Sequence, residues 1–506
     1  MTFDSLVLTV LVALPFAVGL LLILWPRERV LAMRWFALAA SLVALGLSAY
    51  VTFSYEYDSG ARFQLRQQWT WLESLGIGWH IGVDGIAAVM ILMTGIIYPA
   101  AVAMTWNTKG RVKDYLVLLN ILVGGVYGTF ALIDLFFFFF FFEIAVLPMY
   151  LLIAYWGSSS KALRNPLFGR EHSFDRSKEY SAMKLVIVLV AGSVLIWVAL
   201  LAIFVEAGRT TFDLIELSRV TYSTGFQNVF FPFLLVGFGV LAGLWPFHTW
   251  SPDGHVAAPT SVSMLHAGVL MKLGAFGIIR IGMELMPEGA ETWLPLLLVL
   301  GITNVIYGAL SAFSQRDLKY VIGYSSVSHM GYVLVGLATL HPLGFTGAVL
   351  QMFSHGIMTA LFFAVVGVIY ERTHTRDTGV LQGLAKSMPF AAFLFAVAGL
   401  ASLGLPGLSG FVAELLVFLG LFKTYPWAGV LAVIGAAITA AYVLRLIAKV
   451  FFGPPDEKWA GLKDMTRGER ITASLLALTL LVVGLLPFYL IDLIDSGARY
   501  FRLVSG

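Results

Sequence analysis

Long apolar runs alternate with short polar connections along the whole chain. A helix needs about 20 consecutive apolar residues to cross the hydrocarbon core of a bilayer. Windows of that size predict fourteen transmembrane spans and therefore an all-α polytopic membrane protein. The predicted centres of spans 1 to 14 are Phe16, Leu42, Gly95, Gly124, Ile144, Ala191, Gly237, Met271, Gly301, Met330, Met358, Leu403, Gly435 and Thr479.

Composition supports a protein embedded in the lipid bilayer. Hydrophobic residues make up 59% of the 506 residues and charged residues only 12%, whereas a soluble domain carries about 25% charged residues. The net charge of +3 is too small to indicate nucleic acid binding. The chain has no cysteine, which excludes disulfides and cysteine-ligated iron–sulfur clusters within it.

Basic residues alternate from one side of the predicted bundle to the other. Lys and Arg concentrate in the connections after spans 1, 3, 5, 9, 11 and 13, for example at Arg27, Lys109, Lys178, Arg316 and Arg372. Cytoplasmic loops are the ones enriched in Lys and Arg. The pattern predicts an integral protein of a bacterial cytoplasmic membrane with both termini on the outer, periplasmic side. The first span is expected to remain as a transmembrane helix and not to be removed as a signal peptide.

Three ionisable residues fall deep inside predicted spans: Glu143 in span 5, Lys272 in span 8 and Glu414 in span 12. Each costs about 3 kcal/mol to insert, and such residues commonly mark ion or proton paths. His329 in span 10 and His355 in span 11 lie in apolar segments as well, and imidazole exchanges protons near neutral pH. The alternatives are a structural ion pair for the charged residues and hydrogen-bonded packing for each histidine.

Two predicted spans contain helix-breaking sequences. Residues 244–248 of span 7 read LWPFH and residues 404–410 of span 12 read GLPGLSG. Proline and glycine free backbone carbonyls that buried protein or water must satisfy. Breaks at matching positions of two halves indicate inverted repeats with an ion site between them. We therefore predict spans 1–3 at residues 1–113, five-helix repeats at 114–286 (spans 4–8) and 287–453 (spans 9–13), and span 14 within 454–506.

Several motifs occur in the order characteristic of a known family. They are residues 136–150 (FFFFFFFEIAVLPMY), 246–255 (PFHTWSPDGH), 258–260 (APT), 267–274 (AGVLMKLG), 324–331 (YSSVSHMG), 370–377 (YERTHTRD), 405–407 (LPG) and 410–414 (GFVAE). With these motifs, the chain resembles the antiporter-like membrane subunits of respiratory complex I, specifically the M type. The resemblance covers most of residues 79–453.

The resemblance implies a proton-translocating subunit of the membrane arm of an NADH:quinone oxidoreductase, driven by quinone reduction elsewhere in the complex. Its partners would be the L-type and N-type antiporter-like chains and small membrane subunits. NADH, FMN, iron–sulfur clusters and quinone would belong to partner subunits, with none in this chain. Carried over by position, Glu143 modulates a lysine, Lys272 is the relay lysine, His329 and His355 belong to the central axis, and Glu414 leads to the outer exit.

One position departs from the family pattern. M-type chains usually carry a lysine in span 7 that pairs with the span 5 glutamate, and Leu241 occupies the corresponding place. We predict that Glu143 couples instead through water or His248 to Lys272, with His266 as a further possible relay. The alternatives are a related cation/proton antiporter or membrane-bound hydrogenase subunit, and a structural spacer that does not pump.

Overall fold

The computed structural model describes residues 3–57, 60–162, 174–501 and 503–504. Helices occupy every predicted span. Spans 1 to 6 are Phe3–Leu24, Val30–Phe53, Gly85–Ala103, Val112–Ala131, Leu135–Trp156 and Lys178–Glu206. Span 7 consists of Thr224–Ala242, a 3-10 turn Phe247–Thr249 and Trp250–Ala257. Span 8 is Thr260–Met283, and spans 9 to 11 are Pro287–Ser314, Leu318–Ala338 and Pro342–Thr373. Span 12 consists of Pro389–Ser402 and Ser409–Thr424, and spans 13 and 14 are Pro426–Val450 and Arg467–Leu485.

Thirteen helices in the described part of the chain are long and apolar enough to cross a membrane. The fourteenth predicted span is span 12, whose halves contain 14 and 16 residues. Each half is shorter than the hydrocarbon core requires, because the sequence LGLPGL separates them. The prediction of a polytopic helical membrane protein with broken spans 7 and 12 is confirmed.

Acidic and hydroxyl side chains begin many of the spans. Asp84, Asp134, Ser177, Ser223 and Asp317 each accept a hydrogen bond from a backbone N–H in the first turn of the helix that follows. Such N-caps satisfy donors that the helix itself leaves free. The boundaries of these spans are therefore fixed locally as well as by hydropathy.

Contacts between connections show that the bundle has two distinct faces. On the first, which we call the basic face, Arg34 donates to Thr108 O, Lys113 to Trp25 O and Arg376 to Val256 O. Each of these bonds joins residues that lie in or next to the connections after odd-numbered spans. On the second, the hairpin face, Arg62 pairs with Glu284 and Tyr489 bonds to Thr52 O. The ends of the spans that these bonds join therefore meet on two separate faces.

The connections between the spans also contain two short pairs of strands in the described part of the chain. The connection between spans 2 and 3 forms an antiparallel hairpin, Gln64–Leu72 with Ile77–Val83, that pairs Trp69 with Trp79. A second pair is Ser160–Ala162 with Phe174–Arg176. Both lie outside the helical spans, where neighbouring strands can supply backbone hydrogen bonds. Short helices Glu73–Leu75, Leu214–Leu217, Glu457–Trp459 and Phe488–Ala498 complete the described elements.

The phenylalanine run of span 5 packs mainly against other aromatic rings. Phe138 and Phe142 are buried, and both contact Phe238 of span 7 with ring centroids 6.2 and 5.8 Å apart. Trp79 of the hairpin contacts Phe137 and Phe141 at the start of the same helix. The run therefore has a packing role and holds the hairpin against the beginning of span 5.

Candidate functional site

The break in span 7 is stabilised by a side chain from span 9. Gly243 adopts a left-handed backbone conformation (φ 78°) that ends the first half of the helix. The Asn304 amide donates to Gly243 O over 2.8 Å and its oxygen accepts from the Trp245 N–H over 2.6 Å. Buried Asn304 thus supplies the hydrogen bonds that the interrupted helix lacks.

Span 8 carries the most deeply placed lysine. Two π-helical turns, His266–Leu270 and Ile278–Met283, flank the α-helical segment Met271–Gly277 that contains Lys272. The Lys272 ammonium nitrogen donates to Ala267 O within the first π turn. It also lies 2.8 Å from Nδ1 of His355 in span 11. π-Helical turns often occur at functional sites, and here one positions the amine against an imidazole.

A second histidine connects this pair to a carboxylate. The rings of His355 and His329 are 5.4 Å apart between centroids. His329 Nδ1 lies 3.4 Å from Oε1 of Glu414 and 3.2 Å from the Gln351 amide nitrogen. Its Nε2 contacts the Ser402 hydroxyl at 3.0 Å. The order Lys272, His355, His329, Glu414 therefore runs across spans 8, 11, 10 and 12 as one row, which we call the central row.

The break in span 12 exposes room for the carboxyl group of Glu414. Gly404 has φ 73°, and a Cβ atom there would lie 2.9 Å from Glu414 Oε2. A larger residue would therefore be strained by the left-handed backbone and would crowd the carboxylate. The broken spans 7 and 12 each use a left-handed glycine, Gly243 and Gly404, at the point where the helix stops.

The central row is closed off from both faces of the bundle. Its four side chains belong to residues no more than 4% exposed, and the apolar windows of spans 8, 10 and 11 are entirely buried. An amine, two imidazoles and a carboxyl group can each accept and release a proton. Their spacing allows transfer directly or through single water molecules. Four of the five predicted proton-path residues are therefore brought together.

The fifth predicted path residue, Glu143, makes no hydrogen bond or ion pair with the central row among the described residues. Its Oε1 is buried and makes no hydrogen bond among the described residues, while Ser193 of span 6 faces the carboxyl group. Gly274 of span 8 packs against Phe238 and Ala242 of span 7. Lys272 is about 200° away from Gly274 around the helix, so it points away from span 7 and toward span 11.

Neither relay histidine proposed from the sequence bonds directly to Glu143 or Lys272 among the described residues. Both ring nitrogens of buried His248 lack a hydrogen-bond partner there, and its ring contacts Tyr307 at 5.1 Å. His266 stacks on Trp250 at 5.3 Å and lies 4.0 Å from the ring of His255. The direct link from Glu143 through His248 is thus absent, while a link through water stays a prediction.

Two further ionisable residues, His255 and Lys319, are buried although neither was among the predicted path residues. His255, the last residue of the motif at residues 246–255, is fully buried beside His266. Lys319, close in sequence to Arg316 of the basic connection after span 9, is buried in the first turn of span 10. Motif membership marked the first residue, whereas nothing in the local sequence signalled that Lys319 would be covered.

Arg280 is a further charged residue buried inside a predicted span. Only Glu143, Lys272 and Glu414 were predicted as charged residues at depth, but Arg280 lies in the last π turn of span 8 and is 2% exposed. Its two terminal nitrogens donate to the two oxygens of Asp84 over 2.6 and 2.7 Å. Bidentate pairing of this kind is a stable arrangement for a buried guanidinium. No group of three or more His, Asp or Glu residues in the described part of the chain could hold a metal ion.

Comparison with known sequences places these features in a family. The pattern of the family described as "NADH:quinone oxidoreductase/Mrp antiporter, TM" matches residues 133–439, which include Glu143 and all four central-row residues. A chain named NAD(P)H-quinone oxidoreductase chain 4 from Thermosynechococcus vestitus is 37% identical over 95% of this chain and 89% of its own length. A chain 4 from Gloeobacter violaceus is 36% identical over 96% and 90%.

Solved structures share the fold over nearly the full length. A chain of respiratory complex I from Thermus thermophilus superposes with a TM-score of 0.87, covers 99% of this chain and 100% of its own, and is 28% identical. A chain of the Mrp complex from a Dietzia species has a TM-score of 0.82 over 99% and 98% at 21% identity, which shows the fold alone. This integral membrane chain therefore belongs to the NADH:quinone oxidoreductase/Mrp antiporter family of transmembrane subunits, with chain 4 proteins among its relatives.

Proposed function

We propose that this chain is the M-type, proton-translocating subunit in the membrane arm of a complex I type NAD(P)H:quinone oxidoreductase. The observation that carries the proposal is the central row, in which Lys272 Nζ contacts His355 Nδ1 at 2.8 Å and His329 Nδ1 contacts Glu414 at 3.4 Å. A structural spacer would have no need of four buried protonatable groups that lie next to one another in a row. The naming of the relatives supports the same assignment.

In this function the row moves a proton from Lys272 to Glu414. Lys272 passes a proton to His355 Nδ1 when a neighbouring positive charge raises the cost of holding the ammonium. His355 passes it to His329, and His329 protonates the Glu414 carboxylate. Glu414 lies in the half of span 12 that leads to the hairpin face, so it releases the proton there. Water molecules would bridge the gap between the two imidazoles.

The orientation and partners follow from the same assignment. The basic face would lie in the cytoplasm and both termini outside, because cytoplasmic connections are rich in Lys and Arg. L-type and N-type antiporter-like chains and small membrane subunits would be the neighbours, in a bacterial cytoplasmic membrane. NADH, FMN, iron–sulfur clusters and quinone would be bound by partner subunits, and the energy of quinone reduction would reach this chain as a change in charge or conformation.

Glu143 would act as the residue that modulates the row. Leu241, 1% exposed, stands where an M-type chain usually has the lysine that pairs with this glutamate. Protonation of Glu143 would then act on Lys272 through water and through the packing of spans 5, 7 and 8. We also propose that residues 114–286 and 287–453 are inverted repeats, since each contains one helix broken at a left-handed glycine.

The proposal is tested in the assembled complex reconstituted in proteoliposomes. Protons translocated per electron are measured with a pH-sensitive dye while quinone reduction is followed. Lys272→Ala and Glu414→Gln are each expected to lower that ratio with the complex still assembled. Lys386→Ala and Glu457→Gln, at exposed positions outside the row, are matched controls. An unchanged ratio in both row variants would assign the chain to the spacer class instead.

A related cation/proton antiporter or hydrogenase subunit is the competing function, because the Dietzia Mrp chain shares the fold. Two measurements separate it. Replacing sodium by choline in the proteoliposomes leaves quinone-driven proton translocation unchanged under our proposal, whereas an antiporter needs the counter-ion. Subunits that co-purify with a tagged chain should reduce quinone. A nickel hydrogenase or a set of small antiporter chains would favour the alternative.

A further inference from the structure

Two cavities adjoin at the basic face of the bundle. The first is an apolar crevice of about 600 Å³ between spans 2, 3, 11 and 14, and the second is a polar vestibule of about 400 Å³ at the beginning of span 10 and the end of span 11. Both are in the range of about 300–1,000 Å³ that is usual for ligand sites. Their linings have Met104, Asn107, Thr260, Gly367 and Glu371 in common. The two cavities therefore form one site with an apolar limb and a polar limb.

The apolar limb opens toward the hydrocarbon around the bundle. Leu38, Ala100 and Val368 line its walls. At its margin, Trp35 is 58% and Ile471 63% exposed, as residues facing lipid are. Trp35 meets Trp106 edge to face at 5.0 Å. Tryptophan is typical of the boundary between hydrocarbon and headgroups, so this pair places the mouth of the crevice near that boundary.

The polar limb contains two lysines, Lys109 and Lys319, that form no ion pair among the described residues. Lys319 is 4% exposed, and its ammonium donates to Ala258 O over 2.6 Å and lies 3.4 Å from the Ser263 hydroxyl. No carboxylate of the described part of the chain lies within ion-pair distance of it. Exposed Lys109 at the rim likewise has no ion pair there.

The other charged groups of the polar limb are already paired. Arg376 Nε lies 3.1 Å from Asp317, and Glu371 Oε2 lies 3.0 Å from Arg372. Glu371 also accepts from the Asn107 amide over 2.7 Å. Two lysines therefore remain for a ligand, which favours an anionic group over a neutral one.

We propose that this site binds an anionic phospholipid from the leaflet at the basic face, with one acyl chain in the crevice and the phosphate between Lys109 and Lys319. An amphiphile matches the continuity of the two limbs, because its acyl chain fills the apolar limb while its phosphate reaches the polar limb. Basic pockets between transmembrane helices on the cytoplasmic side are suited to lipid headgroups. The proposal does not depend on the proton path.

Binding is tested with the purified complex after lipid removal. Phosphatidylglycerol, phosphatidylcholine of the same chains, and inorganic phosphate are titrated separately, and retained lipid is counted by native mass spectrometry. Phosphatidylglycerol is expected to bind tightest. Lys109→Gln and Lys319→Gln are each expected to weaken it about fivefold, since one interfacial lysine contributes about 1 kcal/mol. Lys386→Gln, at an exposed position outside both cavities, is the matched control.

A second variant protects the test against misfolding of Lys319→Gln, whose lysine is buried. Ala103→Phe fills the apolar limb and should lower retention of phosphatidylglycerol without changing any charge, whereas Ala396→Phe, outside the crevice, should not. Equal binding of the two lipids, equal stabilisation by phosphate alone, or unchanged retention in Ala103→Phe would overturn the proposal. So would a cross-link from Leu42→Cys, in a chain without other cysteines, to a helix of a neighbouring subunit.

Discussion

Lys272 and His355 share one hydrogen-bonding position, with Nζ and Nδ1 2.8 Å apart and both residues at most 1% exposed. The contact joins span 8, in the first predicted five-helix unit, to span 11 in the second. Either the ammonium donates to the imidazole or a protonated imidazole donates to the amine. The position of one proton therefore determines which of the two residues is charged at this contact between spans 8 and 11.

If the two side chains act as one unit, their substitutions will not be additive. Lys272→Gln and His355→Gln should each lower proton translocation per electron by roughly tenfold, and the double variant should be no worse than the worse single one. Proteoliposome assays normalised to quinone reduction measure this. His374→Gln, at an exposed position, is the control. Independent, multiplying losses would contradict a shared proton.

Glu143→Gln tests the modulating role of the span 5 carboxylate. The substitution keeps the shape of a side chain whose Oε1 has no hydrogen-bond partner among the described residues, so assembly should be largely retained. Proton translocation should fall several-fold, because glutamine cannot take up and release the proton that acts on Lys272. Blue-native gels quantify assembly, and the dye assay measures translocation. Loss of the assembled complex would instead indicate a structural role.

Hydropathy and charge predicted much of this fold because the bilayer imposes them. Each span needs enough apolar length, and basic connections alternate, so the positions of spans 1 to 14 follow from the chain alone. The hairpin at residues 64–83 was missed, because its strands lie outside the spans. Arg280 was not recognised as a buried residue, because its carboxylate partner, Asp84, is 196 residues away. Hydropathy does not reveal a distant partner.

The sequence identified the residues of the candidate site but predicted their spatial arrangement only in part. Lys272, His355, His329 and Glu414 stood out as protonatable residues in apolar segments, and they meet. Sequence could not show which way Lys272 points, because that depends on the packing of Gly274 against span 7. It also could not show that Lys319 would be buried, because the covering groups come from the connection between spans 7 and 8.

Asp134, at the start of span 5 on the hairpin face, should make the hairpin sensitive to pH. Burial raises the pKa of this carboxyl group from 3.8 to about 6, against the opposing effect of its hydrogen bonds from the Phe137 and Gly78 N–H groups. The nearby Asp213 carboxylate, itself bonded to His80, raises it further. The folded state therefore binds more protons than the unfolded state between about pH 4 and 6.

The sign follows from that difference. The free energy that stabilises the hairpin contact should fall by at most about 3 kcal/mol as pH rises from about 4 to 6, because the pKa shift of Asp134 is about two units. Above pH 6 it should stay constant. Hydrogen exchange of the hairpin amides across this range measures it. Asp134→Asn should abolish the slope while weakening the contact at every pH, and Asp114→Asn on the basic face should keep it. A slope that survives in Asp134→Asn would assign the titration to another group.

The Arg280–Asp84 pair should be among the most costly in the protein to break. Arg280→Met leaves the Asp84 carboxylate buried without its partner, which costs about 3–5 kcal/mol. Arg111→Met, at an ion pair with side chains 62% and 34% exposed, should cost no more than about 1 kcal/mol. Thermal melting of the purified complex compares the two.

The double variant Arg280→Met with Asp84→Asn separates the cost of an orphaned charge from the cost of lost packing. It should recover part of the melting temperature, because neither remaining group is charged. It should not recover all of it, since the two hydrogen bonds between the Arg280 guanidinium and the Asp84 side chain are lost in the double variant as well. Proton translocation per electron should stay at the wild-type value in the double variant, because neither residue contacts the central row. A double variant as unstable as Arg280→Met would mean that shape, not charge, dominates at this end of span 8.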